Sequence, residues 1–250
     1  SAELNNDDLR KEVGKIALLK KVGGVIVQLP LPEQINKHYI LNVIPREKDV
    51  DVLGERALGA FYNNRNPILS PAVGTMIEIL IRENFVFPEN LTEAQPAKIL
   101  QSKILSDGVS GSRENKIFSN QRVAIVGAGF LIGKPIAVWL MDRVKELSVF
   151  GRESDLSQLK NYDLIISGTG EAGLIRLEML KEDAGIIDFG YSINESGKIF
   201  GDFDVSEIQN SKFKIQNFWH TPTPGGTGPI LVAKIFENFY KLTQSGKLEI

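Results

Sequence analysis

Apolar and polar positions alternate along the second half of the chain in the pattern of an α/β protein. Four short, mainly apolar runs predict strands, and the first of them is rich in β-branched residues, as a buried parallel strand would be. These runs lie at 123–126, 147–150, 164–167 and 185–188. Helical spacing between the runs predicts helices at 136–144, 155–159 and 176–181. Strands and helices that alternate over such short distances predict a doubly wound parallel sheet of the Rossmann type.

The first part of the chain is mainly helical by the same criterion. Apolar residues recur at helical spacing over 6–22, 35–44 and 71–84, and again over 230–242. Asp7 or Asp8 is expected to cap the first helix, and Gly23-Gly24 to end it. A short strand is predicted at 25–27, where the following prolines stop the ladder. Residues 88–120 lack periodicity, and we interpret them as a variable connection with a short helix at 97–105.

A glycine-rich turn follows the run at 123–126. Gly127, Gly129 and Gly133 have the spacing G-x-G-x-x-x-G, one residue longer than the usual dinucleotide fingerprint. In that fingerprint the first glycine permits a tight turn, the second lets a pyrophosphate approach the backbone, and the third lets helix and strand pack. The first N–H groups of the helix then face the phosphates. Glycine turns also arise for steric reasons alone, so the turn by itself leaves nucleotide binding open.

Composition narrows the classes of function. A net charge of −2 gives no electrostatic reason to expect nucleic acid or an anionic membrane as a partner. The absence of cysteine excludes disulfides and thiolate metal sites and is compatible with the cytoplasm. No apolar run is long enough to span a membrane, and the polar N-terminus does not resemble a signal peptide. His38 and His220 form no metal motif, so we expect no metal site.

Three segments of the sequence, taken together, resemble one enzyme family. They are VIVQLPLP at 25–32 with REKDVD at 46–51, IGKP at 132–135, and TPTPGGTGP at 221–229. The segments IDFGYS at 187–192 and GDFD at 201–204 add to the likeness. In order and spacing they resemble the bifunctional methylenetetrahydrofolate dehydrogenase/methenyltetrahydrofolate cyclohydrolases. The Q-L-P-L-P and P-G-G-x-G-P signatures are far more specific than the glycine turn.

The resemblance implies a two-domain enzyme with a cleft between an N-terminal parallel α/β domain and a C-terminal Rossmann domain. We therefore expect a folate-binding catalytic domain at 1–87, without the family's N-terminal segment, and the connection at 88–120. A nucleotide-binding domain at 121–229 follows, and a helix at 230–245 packs back on the first domain. The implied reaction oxidises 5,10-methylenetetrahydrofolate with NADP and hydrolyses 5,10-methenyltetrahydrofolate to 10-formyltetrahydrofolate. The resemblance further implies a cytoplasmic homodimer that serves one-carbon metabolism and purine biosynthesis.

Carried onto this sequence residue by residue, the resemblance implies a set of site residues. Gln28 resembles the glutamine that tunes the catalytic lysine, and Asp51 resembles the aspartate that binds the pterin ring through charge-assisted hydrogen bonds. The other substrate-binding positions are Pro30, Leu31, Pro224, Gly225 and Gly226. The cofactor-binding positions are Gly127, Gly129, Ile132, Gly133, Lys134, Arg152, Gly168 and Gly170.

The sequence also departs from the family pattern. The family's catalytic Tyr-x-x-x-Lys is expected upstream of the Q-L-P-L-P strand, and no Tyr-x-x-x-Lys occurs in these 250 residues. Val52 stands where the family usually has glycine, and Ala128-Gly129 replaces its Arg-Ser. Arg152, just past the second strand, is the cation we expect to replace that arginine at the 2′-phosphate, although the adjacent Glu153 leaves NAD open as the cofactor.

Several alternatives therefore remain at the level of sequence. Gln28 could simply cap a strand end, and Asp49 and Asp51 could be solvated loop acids. Without the Tyr-x-x-x-Lys segment, the chain could be a degenerate family member that binds nucleotide or folate with little catalysis, because a general acid/base contributes about 10²–10⁴-fold in rate. A different two-domain Rossmann enzyme, such as a shikimate-dehydrogenase-like one, is the third alternative.

Overall fold

The computed structural model describes residues 5–83, 85, 118–206, 208 and 218–245. The chain forms two compact units, one comprising Ser1–Pro71 with Val232–Ile250 and the other Ala72–Leu231. Among the described residues the helices are α1 (Asn6–Leu18), α2 (Lys37–Leu41), α3 (Glu55–Tyr62), α4 (Pro71–Arg82), α5 (Gly133–Leu140) and α6 (Thr227–Ser245). The strands are β1 (Phe118–Val126), β2 (Val144–Phe150), β3 (Leu164–Ser167), β4 (Gly185–Asp188), β5 (Ser192–Ile193), β6 (Ile199–Phe200) and β7 (Trp219–His220).

A five-stranded parallel sheet forms the frame of the second unit. Its strand order is β2-β1-β3-β4-β7. The chain passes from β1 to β2 on one side and then crosses to β3 on the other side of β1, so the strand order reverses between β1 and β3. In open α/β sheets, ligands bind outside the carboxyl ends of the strands at such a switch point. The loops after β1 and β3 are therefore the expected ligand-binding loops of this sheet.

Burial explains why the sheet strands have these sequences. Every residue of β3 and β4 is buried, so both faces carry apolar side chains except at the carboxyl ends, where Ser167 and Asp188 make hydrogen bonds. At the far edge, β7 lies so close to β4 that a Cβ atom on Gly185 would meet the Trp219 ring at 2.3 Å. Only glycine at the start of β4 therefore allows Trp219 to pack there.

The predicted strands at 164–167 and 185–188 are confirmed by β3 and β4. The prediction for the first crossover is wrong at both ends, because α5 covers Gly133–Leu140 and β2 already begins at Val144. The turn that separates them is closed by the N–H of Arg143, which donates to the carbonyl of Leu140 at 2.8 Å. The guanidinium of Arg143 also lies over the ring of Trp139 at 4.5 Å.

The two later crossover helices are corrected to short 3-10 helices. They cover Leu156–Asn161 and Leu177–Met179 instead of α-helices at 155–159 and 176–181. Asp155 caps the first, accepting a hydrogen bond from the N–H of Ser157 at 3.0 Å. Before the second, Gly170 and Gly173 adopt positive φ angles of 74° and 66°, which interrupts any longer helix.

The first unit is built mainly from helices. α1 begins at Asn6, but the predicted cap residue is wrong: the side chain of Asn5, not that of Asp7 or Asp8, accepts the N–H of Asp8 at 2.9 Å. α1 also ends at Leu18, before the glycine pair. α2 lies within the predicted helix at 35–44, whereas α3 was not predicted from the sequence. α4, which belongs to the second unit except for Pro71, lies within the predicted helix at 71–84.

The strand predicted at 25–27 is corrected to a single parallel bridge. Val25 pairs with Asp49, and its N–H donates to the carbonyl of Lys48 at 2.8 Å. Within the described part of the first unit, the turn at 48–49 is the segment that runs beside it, so no ladder extends on either side. Ile26 is 55% exposed as a result.

The last helix contributes to the first unit through a buried polar contact. α6 begins at Thr227 and ends at Ser245, three residues beyond each predicted end. The side-chain amide of Asn238 donates to the carbonyls of Val50 at 2.9 Å and Leu69 at 2.8 Å. Phe239 packs where a Cβ atom on Gly24 would lie, at 2.8 Å. α6 thus holds the segment that contains Asp49 and Asp51.

Two further sequence predictions concern the variable connection and a membrane span. The connection predicted at 88–120 is corrected at its end, because residues 118–120 belong to β1, and residues 88–117, with the helix expected at 97–105, lie outside the described residues. In the part of the chain that is described, no helix has both the length and the apolar character to cross a membrane.

Candidate active site

The glycine turn after β1 packs tightly against the start of α5. A Cβ atom on Gly133 would lie 1.9 Å from the carbonyl oxygen of Gly127, so this position accepts only glycine. Gly127 has a φ of 90°, in the region that favours glycine. At Gly129 a Cβ atom would meet nothing closer than the carbonyl oxygen of Gly168, at 3.9 Å. The first and third glycines are thus required by packing, whereas the second leaves its backbone open to a ligand.

The first turn of α5 lies directly beside the glycine turn. Ile132 is the residue before the helix, and its side chain makes no capping hydrogen bond. Pro135 lies in the first turn, where its missing N–H has no intrahelical partner to lose. Lys134 is exposed, and its N–H donates to the carbonyl of Gly129 at 3.0 Å. The positive end of the helix dipole and the neighbouring cation favour an anionic group here.

The loop after β3 forms the second side of this site. The N–H of Gly168 donates to the carbonyl of Val126 at 3.1 Å, and the Cγ2 atom of Ile132 lies 3.1 Å from where a Gly168 Cβ would be. The Cγ2 atom of Thr169 lies 3.0 Å from where a Gly127 Cβ would be. The structure therefore brings the predicted cofactor residues of both loops together at the switch point of the sheet.

Arg152 lies close to the same region through β2. The N–H of Gly127 donates to the carbonyl of Phe150 at 2.9 Å, so the end of β2 adjoins the glycine turn. Arg152 follows two residues later in a turn closed by the Ser154 hydroxyl, which accepts the N–H of Gly151 at 2.9 Å. Its side chain and that of Glu153 are both exposed.

Two buried aspartates organise the loops beyond β3 and β4. Asp188 ends β4, and its carboxylate accepts the N–H groups of Gly190 at 2.6 Å and Phe203 at 3.0 Å. Burial raises the pKa of Asp188 to about 6, with a smaller contribution from the charge of Asp202. Asp202 is fully buried and accepts hydrogen bonds from the segment after β3.

The P-G-G loop is connected to β4 through Asp188. The N–H of Asp188 donates to the Thr221 hydroxyl at 2.8 Å, and the Thr227 hydroxyl donates to the Asp188 carbonyl at 3.0 Å. Between these threonines, Pro224 follows a cis peptide bond and Gly225 has a φ of 98°. A Cβ atom on Gly226 would lie 2.4 Å from the carbonyl oxygen of Pro222, which excludes a side chain.

The Q-L-P-L-P segment lies in the first unit. Gln28 is exposed, and its side-chain amide donates to the carbonyl of Leu29 at 3.1 Å. Pro30 follows a cis peptide bond and is exposed, whereas Leu31 is half-buried. The parallel bridge between Val25 and Asp49 runs this segment and the K-D-V-D segment in the same direction. Gln28 and Asp51 therefore both lie downstream of that bridge.

The K-D-V-D segment holds two aspartates in different roles. Asp49 is 2% exposed and accepts the N–H groups of Leu53 at 3.1 Å and Gly54 at 2.7 Å, so it organises the turn before α3. Burial raises the pKa of Asp49, and these backbone hydrogen bonds lower it. Asp51 is half-buried, and burial followed by the charge of Asp49 raises its pKa to about 6. Asp51 is thus the carboxylate left to meet a ligand.

Two neighbours of these aspartates have structural roles. The ammonium group of Lys48 donates to the carbonyls of Ala17 at 2.7 Å and Leu19 at 2.8 Å, so it caps the end of α1. Val52 is 1% exposed and has a φ of 58°, a left-handed conformation that is unusual for a β-branched residue. This is the position at which the family pattern has glycine.

Sequence reasoning missed the polar residues that hold the loops in place. Asp188 and Asp202 lie inside the segments IDFG and GDFD, which were noted as family-like without a role for either carboxylate. The signal in the sequence is a glycine near each aspartate. A Cβ atom on Gly190 would lie 2.1 Å from Oδ1 of Asp202, and a Cβ atom on Gly201 would lie 2.1 Å from Oδ2 of Asp188. Asn238, in an otherwise ordinary amphipathic helix, gives no comparable signal.

Comparison with known families agrees with this geometry. A family model described as the tetrahydrofolate dehydrogenase/cyclohydrolase NAD(P)-binding domain matches residues 112–247, more than half of the chain. The chain belongs to this family. The model of the family's catalytic domain also matches, over residues 1–51. This family assignment decides against the third alternative left open by the sequence, a different two-domain Rossmann enzyme.

Individual relatives extend over most of the chain. It is 29% identical to the bifunctional protein FolD of Mycoplasmopsis synoviae over 88% of this chain and 68% of that protein. It is 29% identical to FolD of Fusobacterium nucleatum over 96% of this chain and 73% of that protein. Among solved structures, the bifunctional FolD of Campylobacter jejuni has a TM-score of 0.75 at 26% identity, covering 97% of this chain and 74% of the other. The enzyme of Trypanosoma brucei, solved with NADP and an inhibitor, shares the fold with a TM-score of 0.75 at 23% identity.

Proposed function

We propose that this chain is a dehydrogenase and cyclohydrolase of one-carbon folate metabolism. It oxidises 5,10-methylenetetrahydrofolate with a nicotinamide dinucleotide and hydrolyses the resulting 5,10-methenyl compound to 10-formyltetrahydrofolate. Membership of the tetrahydrofolate dehydrogenase/cyclohydrolase family supports this reaction. The observation that carries the dehydrogenase half is the glycine turn, whose geometry leaves an open backbone between the ends of β1 and β3.

The residues at the switch point fit a dinucleotide. Gly127 and Gly133 permit the close packing of turn and helix, Gly129 leaves room for a pyrophosphate, and the N-terminus of α5 supplies the positive end of its helix dipole. The additional cofactor-binding positions are Ile132, Lys134, Gly168 and Gly170. When bound, the nicotinamide ring accepts the hydride. The chain's contribution is to orient that ring toward the folate and to prevent unproductive orientations of the ring.

We propose NADP as the preferred dinucleotide. Arg152 lies in the turn after β2, where a cation pairs with a 2′-phosphate. Its guanidinium offers a planar set of donors to a phosphate, and the side chain is exposed to reach one. The negative charge of Glu153 beside it disfavours a 2′-phosphate, so NAD is the competing cofactor. The ratio of the affinities for NADP and NAD measures the contribution of Arg152.

On the folate side, Asp51 is proposed to bind the pterin. The donor-rich edge of a pterin pairs with a carboxylate through charge-assisted hydrogen bonds. Asp49 is already occupied by the N–H groups of the turn before α3, which leaves Asp51 available. Gln28 is proposed to assist catalysis at the end of the Q-L-P-L-P segment, with Pro30 and Leu31 shaping the substrate site. Pro224, Gly225 and Gly226 are proposed to border folate and nicotinamide.

The remaining proposals concern organisation. We propose a catalytic domain at 1–87 completed by the helix at 230–245, a nucleotide-binding domain at 121–229, and a homodimer. A cytoplasmic role that supplies one-carbon units for purine biosynthesis follows from the reaction. Light scattering tests the proposed homodimer, and a measured mass equal to that of one chain would contradict it.

The direct test is an assay with 5,10-methylenetetrahydrofolate and each dinucleotide. We expect NADPH formation and, when the 5,10-methenyl compound is supplied directly, its hydrolysis to 10-formyltetrahydrofolate. Calorimetric titration of NADP and folate accompanies the assay. Tight binding of both without product would instead support the degenerate alternative, and no binding of either would overturn the proposal.

A further inference from the structure

The carboxylate of Asp202 binds the last residue of β3 and the segment that follows it. Its Oδ2 atom accepts the Ser167 hydroxyl at 2.5 Å and the N–H of Thr169 at 2.7 Å. Its Oδ1 atom accepts the N–H of Glu171 at 3.0 Å. Asp202 itself is 0% exposed, so these hydrogen bonds form away from water. Three donors on one buried carboxylate constrain both ends of the loop 168–171.

This loop is the second side of the dinucleotide site. Its first residue, Gly168, contacts Ile132 at the start of α5 and hydrogen-bonds the end of β1. Its middle residues, Thr169 and Gly170, are exposed, and Gly170 has a φ of 74°. An exposed loop that contains such a glycine has many accessible conformations unless it is held. The hydrogen bonds of Asp202 select one of them.

Asp202 is itself held from the opposite side. Its carbonyl accepts the N–H of Ile175 at 2.8 Å, and the carbonyl of Gly201 accepts the N–H of Gly173 at 3.1 Å. A Cβ atom on Gly190 would lie 2.1 Å from Oδ1 of Asp202, so the carboxylate has no room to move in that direction. The segment 201–204 is therefore a fixed support, and the loop is what it positions.

We propose that Asp202 is a positioning residue for the dinucleotide. It holds the loop 168–171 against the glycine turn in the conformation that receives the bound cofactor, without contacting the cofactor itself. The inference rests on the proposed dinucleotide-binding function and adds to it a residue outside the glycine fingerprint. A charged acceptor suits this role because hydrogen bonds to a carboxylate are stronger than those to a neutral oxygen.

Asp202→Asn is the informative variant because it keeps the shape of the side chain. The amide has one oxygen acceptor and places an NH₂ group where the second carboxylate oxygen was. The Ser167 hydroxyl can rotate to accept from that NH₂ group, but a backbone N–H cannot. Either the N–H of Thr169 loses its acceptor, or the N–H of Glu171 loses Asp202 and keeps only its 3.1 Å hydrogen bond to the Thr169 hydroxyl, so the loop opens more readily.

The experiment combines kinetics with amide hydrogen exchange. In Asp202→Asn we expect the KM for the dinucleotide to rise about tenfold while the KM for folate changes by less than about twofold. Without dinucleotide, the Thr169 and Glu171 amides should exchange about tenfold faster than in the wild type. Unchanged KM and unchanged exchange would overturn the proposal, as would equal rises in the KM of both substrates.

Two matched variants separate positioning from general damage. Asp204→Asn changes a neighbouring, partly exposed aspartate whose carboxylate accepts the N–H of Ser206 at 2.9 Å, and we expect both KM values to stay within about twofold. Ser167→Ala removes the rotatable donor and leaves both backbone hydrogen bonds of Asp202, so exchange at Thr169 should stay slow.

The wild-type chain supplies a test that does not depend on whether Asp202→Asn folds. Its Thr169 and Glu171 amides should be protected from exchange before any dinucleotide is added. Exchange at the rate of an unstructured peptide would overturn the positioning role. A wild-type chain that binds no dinucleotide but shows this protection would instead contradict the proposed function and leave the loop assignment standing.

Discussion

Gly133 and Gly127 lie so close that a Cβ atom on Gly133 would be 1.9 Å from the carbonyl oxygen of Gly127. No rearrangement of a side chain relieves this contact, because the opposing atom belongs to the backbone. A Cβ atom on Gly129, in the same turn, would lie 3.9 Å from its nearest neighbour, the carbonyl oxygen of Gly168. The glycines of one fingerprint therefore serve different purposes: close packing at Gly133 and access for a ligand at Gly129.

Alanine substitutions should separate these two purposes. Gly133→Ala is expected to lower the free energy of unfolding by about 2–4 kcal/mol, because turn and helix must move apart. Gly129→Ala should change it by less than about 0.5 kcal/mol, yet weaken dinucleotide binding about tenfold by blocking the backbone. Chemical denaturation and calorimetry measure the two quantities. Gly59→Ala, inside α3 with no atom within 4 Å of the new Cβ, is the control and should be neutral or stabilising. Similar losses of stability at Gly129 and Gly133 would contradict the division.

Asp51 is expected to destabilise the fold at neutral pH. Its pKa in the folded chain is about 6, above the ordinary value of an aspartate. The folded chain therefore holds a proton that the unfolded chain has lost, and this stabilising contribution is complete at low pH and disappears as pH rises through about 6. Asp51→Asn should raise the free energy of unfolding near pH 7 by about 1–2 kcal/mol. Denaturation across this pH range measures it. Asp155→Asn is the contrast, because hydrogen bonds from Ser157 lower the pKa of Asp155 and its loss should not stabilise.

The same carboxylate should make folate binding depend on pH. Protonation of Asp51 removes the charge that pairs with the pterin edge, so the KM for folate should rise as pH falls below about 6. In Asp51→Asn the KM should be high throughout, and its pH dependence over this range should be lost. Steady-state kinetics across pH, with the dinucleotide saturating, is the measurement. A variant that keeps the wild-type pH profile would exclude Asp51 as the pterin carboxylate.

Asn238 should be essential for the segment that carries the aspartates. It donates to the carbonyls of Val50 and Leu69, and it is 4% exposed. Asn238→Ala leaves both carbonyls without this donor and is expected to cost about 2–4 kcal/mol of unfolding free energy. Because Val50 lies between Asp49 and Asp51, the KM for folate should rise as well. The control Asn161→Ala, at an exposed position, should stay within about 0.5 kcal/mol. A stable Asn238→Ala chain with normal folate kinetics would refute this role.

Arg152 should determine the preference between the two dinucleotides. Arg152→Gln removes the guanidinium proposed to bind the 2′-phosphate, so the KM for NADP should rise about tenfold while the KM for NAD stays within about twofold. The ratio of kcat/KM for the two cofactors reports the change directly. Lys160→Gln, at another exposed cation of the same unit, should leave the ratio unchanged. Equal changes for both cofactors would show that Arg152 does not contact the 2′-phosphate.

Local sequence patterns correctly predicted the parts of the fold in which all residues of an element are equally buried. β3 and β4 are buried throughout, so their apolar runs define both ends. The ends of α5 and β2 were predicted less well, because the turn between them depends on Arg143 packing on Trp139. The strand predicted at 25–27 failed for a related reason. A strand exists only where a neighbour extends it, and beside Val25 the described chain offers one bridge to Asp49.

The sequence by itself determined the family, the glycine turn and the candidate residues of both ligand sites, because each is written in a short run of adjacent residues with a strict steric or chemical requirement. Only the tertiary structure decided which polar residues hold those runs in place. Ser167 and Asp202 are 35 residues apart, and Asn238 lies 188 residues from Val50. Hydrogen bonds over such separations form only where the folded backbone brings a donor and an acceptor together out of water, and no local pattern records that meeting.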